Sequence, residues 1–172
     1  MGPIELLFLI VTAMFGVIGL VRGYQRDLGV TTMLFIALFI IEFAYAEPVG
    51  TRVNAFLTGR GVTESQLVTI QALVACTILI VVTFISYQGI TIIFPGSGAN
   101  AFVSLLVGLL NGYLFAGSIW YYLAQANWPL GEVVPDYTAL YDFLVQILPP
   151  AIFGWQFFIL MAVGLLILRN LK

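Results

Sequence analysis

The sequence predicts an all-α, polytopic membrane fold of four to five transmembrane helices plus a short amphipathic helix at the interface. Three observations predict it. Of 172 residues, 62% are hydrophobic and only 8% charged, where ordinary globular chains are about one quarter charged. The mean hydropathy is +1.09. The apolar residues gather in five long stretches, at about 4–23, 28–46, 66–94, 100–126 and 151–170, and crossing a hydrocarbon core of roughly 30 Å takes about 20 such residues. Lipid offers no water to unpaired backbone groups, so a span must be a helix or part of a closed barrel. The short alternating segments of a barrel are missing. Nothing marks a second domain, so residues 1–172 read as a single integral membrane domain.

The same composition removes whole classes of function. Histidine is absent, which excludes His-ligated haem, His-bound zinc and any Ser-His or Cys-His nucleophile from this chain. Cys76 is the single cysteine, so no intrachain disulfide can form. Six Lys and Arg against eight Asp and Glu form no basic patch, and a nucleic-acid partner is excluded. No phosphate loop, paired-carboxylate site or metal-ligand spacing occurs. The expectation is therefore a protein that is not an enzyme, with no catalytic residues, no cofactor and no metal. Its partners are the lipid bilayer and other membrane proteins or further copies of itself.

The first stretch opens Met1-Gly2-Pro3-Ile4-Glu5 without a positive n-region, which makes a poor signal peptide, so it reads as a retained span. Between it and the second lies Gly19-Leu20-Val21-Arg22-Gly23-Tyr24-Gln25-Arg26-Asp27-Leu28-Gly29. So short a gap implies a tight helical hairpin. Arg22 and Arg26 beside the interface suit anionic headgroups at about 1 kcal/mol each. Asp27 can neutralise one of them and cap the second helix.

The third stretch starts with Thr63-Glu64-Ser65-Gln66, a capping box. It is too long for one upright span: either it breaks at Ser86-Tyr87-Gln88-Gly89, with Ile90 to Phe94 continuing along the interface, or it tilts. Spans four and five are joined by Asn127 to Pro150, where Pro129, Gly131 and Pro135 break structure and Asp136 reads as an N-cap. Leu140, Phe143, Leu144, Ile147 and Leu148 then recur at helical spacing until Pro149-Pro150, with Asp142 toward the polar side. A surface-lying amphipathic helix over about 136–148 is expected.

Lys and Arg in short loops set orientation. With five spans, Arg22, Arg26, Arg169 and Lys172 fall on one side, against Arg52 and Arg60 with Glu132 and Asp136 on the other. The count favours N-terminus out and C-terminus in.

Within the spans, Glu42 is the one firmly embedded ionisable residue, and an intramembrane carboxylate is a functional candidate by default. One turn from its helix end, near Tyr45 and Glu47, it reads equally as reaching the interface or bonding a neighbouring helix. Gln71, Gln88 and Asn111 are polar residues in apolar surroundings, suited to bridging helices. Gly19-x-x-x-Gly23 and Gly108-x-x-x-Gly112 allow close helix packing. Trp120, Tyr121, Tyr122 and Trp128 suit a headgroup belt. Gly19-Leu20-Val21-Arg22-Gly23-Tyr24 echoes Gly108-Leu109-Leu110-Asn111-Gly112-Tyr113, which reads as chance or a shared packing need.

Glu5 followed by Leu20-Val21-Arg22-Gly23-Tyr24-Gln25-Arg26-Asp27 resembles the CvpA family, the colicin V production proteins of bacterial inner membranes. Gly108, Gly112 and Gly117 add a looser similarity. Asn111 departs from the pattern, standing where many relatives carry a basic residue, and Gly96 to Asn100 lacks their charged pair. The resemblance implies a CvpA-like core over about 1–126 and an added C-terminal span over about 151–170. It also implies a non-enzymatic role in toxin production or export and envelope maintenance, as membrane anchor or assembly partner. Two other readings stand beside it: an accessory subunit of a larger membrane complex, and a small-solute channel or transporter using Glu42, Gln71 and Asn111.

Overall fold

The computed structural model describes residues 3–47, 49–89, 92–95, 100–129 and 138–171. Among them are eight helices: α1 (Pro3–Arg22), α2 (Tyr24–Tyr45), α3 (Val49–Thr58), α4 (Glu64–Tyr87), α5 (Ala101–Gln125), α6 (Ala139–Gln146), α7 (Pro149–Ile152) and α8 (Trp155–Asn170). Helices α1, α2, α4 and α5 are long and apolar enough to cross a membrane. Helix α8 is equally apolar but has 16 residues, about 24 Å of helix. Of the expected four to five spans, four are long enough to cross, and the fifth stretch forms a shorter apolar helix.

Side-chain pairs give the directions. Phe8 meets Trp120, Phe15 meets Phe115 and Gly19 meets Ser104, so α1 and α5 are antiparallel. The Tyr24 amide bonds Ser104 and Tyr122 bonds Glu42, so α2 runs parallel to α5 and antiparallel to α1. The reversal between α1 and α2 is a true hairpin. Trp155 packs on Phe39 and Phe43 while Phe158 packs on Phe35. Helix α8 therefore returns toward the hairpin end and brings Arg169 there.

The core fills with Val30, Leu34, Phe35, Leu38 and Ile41 of α2, Ala72, Ala75 and Leu79 of α4, Leu114 of α5 and Phe158 of α8. Lipid tails are as apolar as these side chains, so helices associate here through close packing rather than escape from water. The closest approach is the α1–α5 seam. A Cβ on Gly19 would lie 2.5 Å from the Ser104 carbonyl oxygen and 2.8 Å from the Gly108 Cα. One on Gly112 would lie 2.7 Å from the Thr12 Cα. Of the two echoing segments only Gly19 and Gly108 meet, while Gly112 packs on Thr12 and Phe15.

Several expectations need correction. The third stretch breaks at the expected place, since α4 ends at Tyr87, Gln88 caps it and Gly89 has φ 119, but its continuation differs. Residues 92–95 do not continue a helix, and the Phe94 amide instead bonds the Gln25 carbonyl, 3.1 Å away, folding this segment back onto the hairpin. Ile90 lies outside the described residues. Helix α3 was not expected, because its 10 residues are too short and too mixed for a span-length pattern. The amphipathic helix begins at Ala139, later than the expected 136, and its N-cap is Thr138, whose hydroxyl accepts from the Tyr141 amide. Asp136, Gly131, Glu132, Pro135 and Lys172 lie outside the described residues. Tyr141, Leu144 and Leu148 pack against Phe8 and Trp120, so α6 docks on the bundle by one face and leaves Phe143 and Asp142 exposed. Pro149 and Pro150 do not merely stop a helix. They begin α7, as proline suits a first helical turn, and Pro149 sits where a Cβ on Gly117 would be, 2.8 Å from its Cδ.

Overpacking a close seam typically costs about 1–3 kcal/mol. Gly19→Ala should therefore lower the thermal midpoint of the detergent-solubilised protein clearly. Gly164→Ala on α8, whose new methyl meets nothing within 4 Å, should leave it unchanged or raise it. Equal effects of the two substitutions would refute the seam.

Candidate functional site

The hairpin is made by one residue. Gly23 has φ 83 and ψ 147, a backbone conformation that side chains resist, and its amide still bonds the Gly19 carbonyl at 2.9 Å. Nothing lies within 4 Å of where its Cβ would be. Of the four glycines expected to pack helices, Gly19, Gly108 and Gly112 do so, and Gly23 instead turns the chain.

Asp27 was expected to cap α2 at the membrane surface. It does not: the N-cap is Gly23, with no side-chain cap bond. Asp27 lies about one turn into the helix and is fully buried. Its Oδ2 sits 2.9 Å from the position of a Cβ on Gly19, so glycine at that position makes room for the carboxylate. Arg22 Nε lies 3.9 Å from Asp27 Oδ1. The Arg22 guanidinium also stacks over the Tyr87 ring, 4.5 Å from its centroid, and donates to the Ser86 carbonyl at 3.5 Å. Arg22 therefore turns inward rather than toward headgroups, and only the exposed Arg26 keeps the expected surface position.

Around this pair the other spans contribute hydrogen bonds. Asn111 Nδ2 donates to the Asp27 carbonyl at 3.1 Å. The Thr31 hydroxyl lies 2.7 Å from Asn111 Oδ1 and 2.9 Å from the same Asp27 carbonyl, sharing its one proton between two acceptors. The Tyr24 amide donates to Ser104 Oγ at 3.0 Å. Four helices thus meet in one polar clasp: α1 through Arg22, α2 through Asp27 and Thr31, α4 through Ser86 and Tyr87, and α5 through Ser104 and Asn111. A buried charge is tolerated only with a partner, and this clasp supplies a guanidinium held in place by stacking.

A second polar group occupies the opposite end. Tyr122 donates to Glu42 Oε1 at 2.7 Å, and the Tyr45 hydroxyl donates to the Gln71 carbonyl at 2.6 Å. Gln71 Nε2 reaches Asn54 of α3 at 3.0 Å. Glu42 therefore bonds a neighbouring helix, one of its two expected readings. At this same end the buried Glu5 accepts from Thr138, the N-cap of α6. Gln88, the third expected bridge, is exposed at the end of α4.

Glu42 is not the one embedded carboxylate, since Asp27 and Glu5 are both more deeply buried. Sequence position placed them at span ends, where side chains normally reach water. The available signal was the set of small residues opposite them, Gly19 and Ser104 for Asp27. Trp120 and Tyr122 also correct the aromatic-belt expectation, being buried between helices rather than set in a headgroup layer.

The two polar groups do not join. Asp27 and Glu42 stand 15 residues apart on one helix, about 22 Å, and Leu34, Leu38, Leu79 and Leu114 fill the space between them with essentially no exposure. Asn111 belongs to the first group and Gln71 and Glu42 to the second, so the three residues considered for a solute site do not converge.

Breaking a buried ion pair by removing one partner costs about 3–5 kcal/mol, whereas removing both together is often mild. Arg22→Ala should destabilise the detergent-solubilised protein strongly, and adding Asp27→Asn to it should restore at least half of the loss. Purely additive losses in this double-mutant cycle would show that the two side chains do not act as a pair.

Compared with protein-family models, curated proteins and solved structures, the chain matches none.

Proposed function

We propose that this chain is a non-enzymatic integral membrane protein that acts as a membrane anchor or assembly partner. In its resemblance to the CvpA family, its setting is a bacterial inner membrane and its role lies in toxin production or export and envelope maintenance. One observation carries the reading: four polar side chains of the spans each bind one helix to another. Asn111 holds α5 to α2, Glu42 holds α2 to α5, Gln71 holds α4 to α3, and Glu5 holds α1 to the cap of α6. A chain whose helices are joined in this way is suited to presenting a fixed shape to neighbours. The leucine-filled layer between the two polar ends supports the same reading over that of a solute pathway.

Purification in several mild detergents followed by mass measurement tests this. The expected mass is that of the chain together with further copies or other membrane proteins. A chain that is monomeric and alone in every detergent would overturn both the assembly role and its narrower form, an accessory subunit.

The orientation proposed is N-terminus out and C-terminus in, with Arg22, Arg26, Arg169 and Lys172 on the inner side. Arg22→Ala combined with Arg26→Ala should produce mixed orientation or a lower level in reporter fusions at the hairpin and the C-terminus. Wild-type topology and level in that variant would show these charges to be dispensable.

A further inference from the structure

Helix α3 joins the C-terminal end of α2 to the N-terminal end of α4, so the fold puts it at the membrane boundary opposite the hairpin. Its inner side is fixed. A Cβ on Gly50 would lie 2.3 Å from the Tyr45 carbonyl oxygen, which pins the start of α3 against the end of α2. Asn54, one turn on, accepts from Gln71 of α4 at 3.0 Å. Residues 50, 54 and 57 share that side at i, i+4, i+7 spacing.

The other side is exposed and has a consistent chemistry. Val53 and Phe56 are 43% and 59% exposed. Arg52 lies at i−4 from Phe56, and Arg60, just past the helix, holds its guanidinium 4.3 Å from the centroid of the Phe56 ring. Neither arginine pairs with a carboxylate among the described residues. Two cations therefore flank an exposed phenyl ring at the end of the bundle where α2 stops and α4 starts.

We propose that this face of α3 is a binding surface for anionic phospholipid headgroups, with Val53 and Phe56 entering the acyl boundary and Arg52 and Arg60 holding the phosphate. The position between two span ends supplies the bilayer edge, and the two exposed arginines supply the charge complementarity. Apolar side chains with arginines reaching outward are what an interfacial helix presents to lipid. The proposal depends only on the chain spanning a bilayer and stands independently of the assembly role.

The test titrates the full-length detergent-solubilised protein with phosphatidylglycerol and, separately, phosphatidylcholine of the same acyl chains, counting bound lipid by native mass spectrometry. Wild-type protein should prefer phosphatidylglycerol. One basic residue at an anionic surface is worth about fivefold, so Arg52→Gln with Arg60→Gln should reduce the preference by roughly 25-fold. Arg169→Gln, at the other end, should leave most of it intact. A preference unchanged in the Arg52/Arg60 variant, with the thermal midpoint of wild type, would overturn the proposal.

A second measurement covers a variant that fails to fold. Val53→Cys, spin-labelled in phosphatidylglycerol-containing vesicles, should be more accessible to oxygen than to a water-soluble nickel chelate, Cys76 being buried and unlabelled. Greater accessibility to the chelate, or efficient disulfide cross-linking of the Val53→Cys variant between copies, would show that water or a second copy covers this face instead.

Discussion

The close contact of α1 with α5 is the constraint on which the rest of the structure depends. Gly19, Gly108 and Gly112 let two backbones approach until a single added methyl would overlap main-chain atoms. In lipid this proximity is itself the source of cohesion, because no hydrophobic gain is left to draw apolar helices together. Once α1 lies in that seam, its direction is set by α5. The one-residue turn at Gly23 then forces α2 to run back along the same partner. Helices α4 and α8 pack on the surface so made.

The seam also explains the clasp. Space at Gly19 lets the Asp27 carboxylate stand inside the bundle, and the reversal at Gly23 brings Arg22 within 3.9 Å of it. A carboxylate in this position without Arg22 would carry the full penalty of a buried, unpaired charge. With it, the pair gains little over two apolar side chains of the same volume, but it admits only one register. Asn111 and Thr31 add directional bonds to the Asp27 backbone. A bundle joined by glycines and leucines alone could slide by a turn with small loss, and the clasp removes that freedom.

The spans were legible in the sequence because hydropathy over about 20 residues is a strong signal, and the capping box at Thr63 and Gln66 formed as read. The hairpin was legible because glycine and arginine fill a gap too short for anything else. Less visible was where side chains point. Arg22 and Asp27 read as surface groups from their place at span ends, yet both face inward, because burial depends on the partner helix more than on depth along one's own. Helix α3 escaped notice for another reason. Its 10 residues lack a span's hydrophobicity, and contacts of Gly50 and Asn54 with residues from two other helices hold it in place. The N-cap of α6 was misplaced by two residues because Asp136 and Thr138 are equally good caps in isolation; Thr138 also donates to the buried Glu5.

The separation of the two polar ends bears on what the bundle can do. Water or an ion crossing between Asp27 and Glu42 would have to pass Leu34, Leu38, Leu79 and Leu114, all within 1% of complete burial. Side chains packed so closely cannot part singly, since opening a gap at one forfeits contacts on every neighbour. Passage would require α4 to move away from α2 and α5 as a unit. That movement would break the stack of Arg22 on Tyr87 and the bond of Tyr45 to Gln71, which tie α4 at its two ends. These ties hold α2, α4 and α5 in one arrangement at both ends of the bundle, and leave the apolar outer faces of the spans and of α3 exposed.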